Sequence, residues 1–194
     1  MEKKKSKSLL KFVLKLNGRK TKIKFINSEY FSNGEKIYVA NTENEWKEAS
    51  KNHIPACFNT ASISSGHNIK LYNWYAIINS PNISSENFQI PTDDDLALIQ
   101  KEVFQYFGQK QSIFKKLRNI LNGKKLSVFE STGYVTNSGH YVAPDNTAII
   151  WTKTEYDKNN AYCYHFDFVE RKIRHLPYSK DYGFALIEIE KLAK

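Results

Sequence analysis

The residues with the richest chemistry lie late in the chain. Tyr162-Cys163-Tyr164-His165-Phe166-Asp167-Phe168 alternates with period two, so an extended segment places Cys163, His165 and Asp167 on one face and the aromatic rings on the other. A thiol and an imidazole two positions apart are zinc-ligand types, and with a carboxylate they form a nucleophile-and-base set. Strand neighbours rarely converge on one ion, and no second Cys/His pair is spaced to complete the ligands. A packed thiol and a hydrogen-bonded histidine are therefore expected there. Asp93-Asp94-Asp95 offers oxygens to a divalent cation, but consecutive helical residues point in different directions, and a first helical turn favours carboxylates through the helix dipole. No catalytic residue, metal or cofactor is assigned.

Binding chemistry is better represented. Glu155-Tyr156-Asp157-Lys158-Asn159-Asn160 and the stretch from Arg174 to Asp181 are rich in Tyr, Asn and charge, the types that make adaptable hydrogen bonds and low-entropy aromatic contacts. Glu155, Tyr156, Asp157, Asn159, Asn160, Arg174, Tyr178 and Lys180 are the expected ligand-binding loop residues. A second candidate surface is basic: Lys11, Lys15, Lys20, Lys22 and Lys24 line one side of the N-terminal segment and suit an assembly or anion contact. Tyr72, Trp74 and Tyr75, crowded around Asn73, are expected to pack in the core.

These residues need elements to hold them. Leu9 to Ile26 alternates on both sides of Asn17-Gly18, the pattern of a β-hairpin with a tight turn. A short strand follows at Lys36–Ala40. Thr42 and Glu45 have the spacing of a capping box for a helix reaching about Asn52, with Trp46 and Ala49 facing inward. Pro91-Thr92-Asp93 starts a second helix, which carries Leu96, Ile99 and Val103 and stops at Gly108. A third covers Ser112–Leu121, with Lys115, Lys116 and Arg118 on its outer face. Strands are expected at Leu126–Thr136, Tyr141–Val142, Thr147–Thr152, Ala161–Phe168, Lys172–His175 and Phe184–Glu190, with turns at Asp157–Asn160 and Pro177–Lys180. The pattern predicts an α+β domain of two to three helices and a meander of short antiparallel strands, preceded by the hairpin. Its expected divisions are a basic tail at 1–8, a hairpin extension at 9–34 and the main domain at 35–194.

With 194 residues, the chain is long enough for one sizeable core. The formal charge of +9 is unevenly placed: residues 1–24 hold ten Lys and Arg against Glu2, while the remainder carries nineteen of each sign. The body is neutral. Lys11 and Lys15 interrupt the apolar start, no cleavage site follows, and no signal peptide is recognised. Two cysteines, 106 positions apart, make no disulfide framework.

Five segments in order, LYNWYAI (71–77), IPTDDDLALI (90–99), STGYVTNSGHYV (131–142), IIWTKTEYDKNNAYCYHFDF (149–168) and KDYGFALIEIE (180–190), resemble the Fibrobacter succinogenes major paralogous domain. NEWKEASKNHIPACF (44–58) resembles that family's Trp-containing helix. The resemblance covers about residues 35–190 and leaves out 1–34. It implies a C-type-lectin-like fold, also used by formylglycine-generating enzymes and by variable receptor-binding proteins of some bacteriophages. The calcium loop of the lectins is only partly echoed at Ala143-Pro144-Asp145-Asn146, and Cys57 and Cys163 do not reproduce the close cysteine pair of the enzymes.

The expected function is a non-catalytic module that recognises a protein or glycan, or forms part of a surface or phage particle assembly through the hairpin. A phage particle is favoured over a cell surface. The alternatives are a formylglycine-generating-type or metal-dependent enzyme using Cys163, and nucleic-acid binding through the basic N-terminus, which ranks lower. No membrane span is expected.

Overall fold

The N-terminal alternation folds as its spacing predicts. β1 (Lys11–Leu16) and β2 (Arg19–Phe25) pair antiparallel around Gly18, whose φ of +79° is a conformation that glycine adopts at little cost. The computed structural model describes residues 11–16, 18–59, 69–78, 82–107, 132–142, 147–167 and 172–191. The basic tail at 1–8, the helix expected at Ser112–Leu121 and most of the strand expected from Leu126 lie outside the described residues. On its other side β2 pairs with β12 (Ile187–Glu190), and β12 with β6 (Phe88–Gln89), giving the order β1-β2-β12-β6. Leu16, Ile23, Phe25, Ile187 and Ile189 are buried in one cluster with Leu96 and Ile99, so the hairpin contributes directly to the core.

The helical signals are equally local. α1 (Glu43–Lys51) carries the capping box: Thr42 Oγ1 accepts from the Glu45 amide at 3.2 Å, and the Glu45 carboxylate accepts from the Thr42 amide at 3.1 Å. At its other end the amide of Ile54 donates to the Ala49 carbonyl and that of His53 to the Ser50 carbonyl, a Schellman closure in which His53 takes the left-handed position at φ 54°. α1 connects β3 (Tyr38–Ala40) to β4 (Ala56–Asn59), which lie parallel, and β5 (Lys70–Tyr72) pairs antiparallel with β4. α2 is the short turn Tyr75–Ile78. α3 (Asp93–Phe107) starts with a second reciprocal cap, in which the Asp95 amide donates to Thr92 Oγ1 at 3.2 Å and the Thr92 amide to the Asp95 carboxylate at 2.9 Å.

The remaining strands are β7 (Tyr134–Val135) and β8 (Tyr141–Val142), which pair with each other, and a three-stranded sheet in the order β11-β10-β9 from β9 (Thr147–Glu155), β10 (Asn160–Asp167) and β11 (Lys172–Ser179). The sheets are stitched together by 183–185: Gly183 bridges Val135, Phe184 bridges Tyr72, and Ala185 bridges Ile150. Gly183 has no room for a side chain, because a Cβ there would lie 2.9 Å from the Trp46 ring.

The expected C-type-lectin-like α+β layout is overturned. Among the described residues twelve of fifteen elements are strands, arranged in four small sheets, and only three are helices. Nor do the strands form a simple antiparallel meander, since β3 and β4 are parallel and β2 lies beside β12 from the far end of the sequence. Capping and periodicity identify α1 and α3 locally, but sheet order is set by contacts between distant segments, which no local pattern encodes. The turn expected at Pro177–Lys180 is also corrected: β11 runs through Pro177 to Ser179. Proline is tolerated there because β11 is an edge strand among the described residues, so its missing N–H breaks no ladder on the outer side.

Tyr72 and Trp74 are core residues. Tyr72 is fully buried and its hydroxyl donates to the Ser28 carbonyl at 2.8 Å, while Trp74 Nε1 donates to the Thr152 carbonyl at 2.9 Å. Asn73 between them is buried, its Oδ1 accepting from the Ala56 and Ala76 amides and its Nδ2 donating to the Ile54 carbonyl. Tyr75 is only half-buried, with its hydroxyl donating to Asp181 Oδ1 at 3.0 Å.

Candidate binding site

An irregularity in β9 places the most exposed aromatic surface. Ala161 lies opposite Glu155 but Cys163 opposite Trp151, so two steps along β10 face four along β9 and the extra residues bulge. The bulge receives the start of α3: the Lys153 amide donates to the Pro91 carbonyl at 2.8 Å and the Asp93 amide to Thr154 Oγ1 at 3.0 Å. Leu96 and Ile99 then cluster with Ala148, Ile150, Tyr164 and Phe166 on that face of the sheet. Beyond the helix start the same face opens. Tyr162 is half-buried, His175 and Pro177 are exposed, and Tyr156 is 53% exposed.

The rings form a continuous row. Tyr156 stands edge-on to Tyr162 at 5.1 Å and 75°, Tyr162 stacks on His175 at 4.4 Å, and His175 lies 5.0 Å from Tyr164. Cross-strand register explains the contacts, since Tyr164 pairs with His175 and Tyr162 with Pro177. The row ends on α3, where His175 Nε2 lies 2.7 Å from Asp93 Oδ1. That approach is off the line of a hydrogen bond, because Oδ1 is buried without a hydrogen-bond partner; the contact is an ion pair when the imidazole is protonated. Burial, and then the charges of Asp93 and Asp94, push the Tyr164 phenol up to about 12.

The eight loop residues singled out in the sequence divide sharply. Tyr156 and Asn159 are exposed at the β9–β10 turn. Asp157 and Asn160 build that turn: Asp157 Oδ1 accepts from the Asn159 amide at 2.7 Å, the Asn160 amide at 2.8 Å and Asn160 Nδ2 at 3.0 Å. These bonds, led by the Asn160 side chain, hold the Asp157 carboxyl below its ordinary range. Lys180 is buried, pairs with the Glu155 carboxylate, donates to the Lys158 carbonyl at 2.7 Å and lies 4.7 Å from the Trp74 ring centroid, which ties the turn to the core. Arg174 pairs with Asp167 at 3.4 Å, and Tyr178 turns inward against Phe184, where burial raises its phenol. Tyr162, His175, Pro177 and Asp93 complete the face but were not among the expected loop residues.

The lysine surface is partly neutralised by its own sheet. Lys22 pairs with Glu190 at 2.7 Å and Lys24 with the buried Glu188 at 2.7 Å, through the β2–β12 register. Lys20 is exposed; Lys11 and Lys15 occupy the register positions opposite Lys24 and Lys20. Lys24 also donates to Ser85 Oγ at 2.9 Å and covers the Phe88 ring at 4.1 Å, while Ser85 Oγ donates to Glu188 Oε1 at 2.7 Å. This trio borders a cleft of about 1000 Å³ between Lys24–Ser32 and Asn82–Glu86. A serine beside a lysine can be a nucleophile with its base, but here Glu188 accepts the serine's hydrogen bond and ion-pairs with the lysine, so both groups are already engaged.

Cys57 and Cys163 are free thiols and fully buried. Burial pushes Cys57 up to about 12 and Cys163 higher still, the reverse of a reactive thiolate. Among the described residues no group of three or more His, Cys, Asp or Glu could hold a metal ion, and no helix is long and apolar enough to cross a membrane.

The sequence model of the Fibrobacter succinogenes major domain matches residues 10–186, a span that takes in the hairpin as well as the motifs after residue 35. No curated protein and no solved structure matches the chain.

Proposed function

We propose that this chain, which belongs to the Fibrobacter succinogenes major domain family, is a non-catalytic binding module whose ligand-contacting face is the open end of the β9–β10–β11 sheet. One observation carries the reading: a row of rings runs beside α3 with Tyr156 and His175 exposed and Tyr162 half-buried between them, on a sheet whose turn is fixed by Asp157 and Lys180. Exposed aromatic side chains on a rigid scaffold give large contact area with little entropy to lose on binding. Such a face suits recognition of a protein or a glycan, including a role within a surface or particle assembly. The buried, protonated thiols and the mutually satisfied Lys24–Ser85–Glu188 trio offer no reactive group to an enzymatic alternative. Pairing of Lys22 and Lys24 within the sheet lowers the positive field that nucleic-acid binding would need.

The test is a printed array of glycans and peptides probed with the labelled full chain and with its Tyr156→Ala variant. Tyr156 is exposed at a turn, so the variant is expected to stay folded, as circular dichroism will check. The reading predicts binders that the variant loses by about tenfold or more, the scale of one aromatic anchor. An array on which both proteins behave alike would remove it.

A further inference from the structure

We infer that the open aromatic face takes a cationic side chain, arginine or lysine, presented by a basic segment of a partner protein. The inference rests on the binding reading above and names its ligand class.

Three features select that chemistry. Tyr156 and Tyr162 meet nearly at right angles, so two ring faces form a corner, and the outer ring is 53% exposed. The row of rings ends at α3, where Asp93 Oδ1 is buried against His175, while the next residue, Asp94, is exposed, acts electrostatically on Tyr164 and has no ion-pair partner among the described residues. Finally, most of the turn groups that could bracket sugar hydroxyls are engaged within the turn, the exposed Asn159 side chain apart. Asp157 takes both amides of Asn159 and Asn160 together with the Asn160 side chain, and Glu155 is held by Lys180. Two exposed cations, Lys153 and Lys158, sit in the bulge and in the turn.

What faces outward is therefore ring surface next to the Asp94 carboxylate. A ring face attracts a cation through its quadrupole, and a long basic side chain can lay its apolar stem on the ring while its head reaches an acid. Arginine suits this better than lysine, because its planar, weakly hydrated guanidinium stacks and donates in a fork. A neutral sugar would find the rings but few matched hydrogen-bonding groups, and an anionic ligand would be repelled.

The experiment is an NMR titration of the isotope-labelled full chain with N-acetyl-arginine methylamide, N-acetyl-norleucine methylamide and methyl glucoside at equal concentrations. The inference predicts that the arginine probe shifts the ring resonances of Tyr156, Tyr162 and His175, that the other two do so far less, and that added salt weakens the effect. Asp94→Asn, a change at an exposed side chain, should weaken arginine binding by about fivefold while leaving the spectrum otherwise native. If norleucine or glucoside shifts the same rings equally, the cationic class is wrong and the binding face stands. If no probe shifts them, the inference is overturned, and the array result decides whether the binding reading falls with it.

Discussion

Asp157 shows how completely one carboxylate can fix a turn, since its Oδ1 alone accepts three hydrogen bonds from Asn159 and Asn160. These bonds favour the charged form, so the folded pKa is depressed below the ordinary 3.8. The sign follows: the stabilising contribution is complete above the unfolded value and is lost as pH falls through the lower folded value. The amide resonances of Asn159 and Asn160 should accordingly titrate below the usual carboxylate range, and a midpoint at or above 3.8 would contradict the assignment. At the same scale, Cys57 and Cys163 should resist iodoacetamide in the native protein at pH 8 and react fully in guanidinium, read by intact mass. Rapid native labelling of Cys163 would show an open site that the burial of its sulfur excludes.

Between elements, the join of β2 to β12 depends on Glu188, which is almost wholly buried and serves both Lys24 and Ser85. Glu188→Gln leaves the ammonium without its counter-charge and should cost about 2–3 kcal/mol, seen as a fall in the denaturant midpoint. Replacing Lys24 and Glu188 together by methionine should recover most of that loss; a double variant as unstable as the single one would place the cost in packing. Local elements were legible where one short stretch held the whole signal. The Asn17-Gly18 hairpin, the Thr42–Glu45 box and the Thr92 helix start need only their own neighbours. The ends of β9 and β11 were not legible, because the bulge at 152–154 depends on the docked start of α3 and the passage through Pro177 depends on a strand edge that is unpaired among the described residues. The four-sheet arrangement was hidden for the same reason: 183–185 join three sheets through partners as distant as Tyr72 and Val135.

For the whole molecule, the N-terminal hairpin is central to stability. β2 covers β12, and Leu16, Ile23 and Phe25 share a cluster with Ile187 and Ile189, so a chain starting at Asn27 should lose cooperative thermal unfolding. A truncated chain with a native near-UV spectrum would show that the remaining sheets stand alone. Of the proposed face, the sequence reading named Tyr156 and Asn159, whose turn composition marks exposure. His175, Pro177 and Asp93 join Tyr162 through cross-strand pairing and a helix docked from about seventy positions away in sequence, which loop composition cannot reveal. Two surfaces compete for a ligand, the aromatic face and the cleft between Lys24–Ser32 and Asn82–Glu86. Hydrogen–deuterium exchange of the full chain, with and without the strongest array binder, separates them directly. A ligand on the aromatic face should slow exchange at 154–162 and 173–178 with little change around 24–32 and 82–86; protection at the cleft with an unchanged β9–β10 turn would contradict that placement.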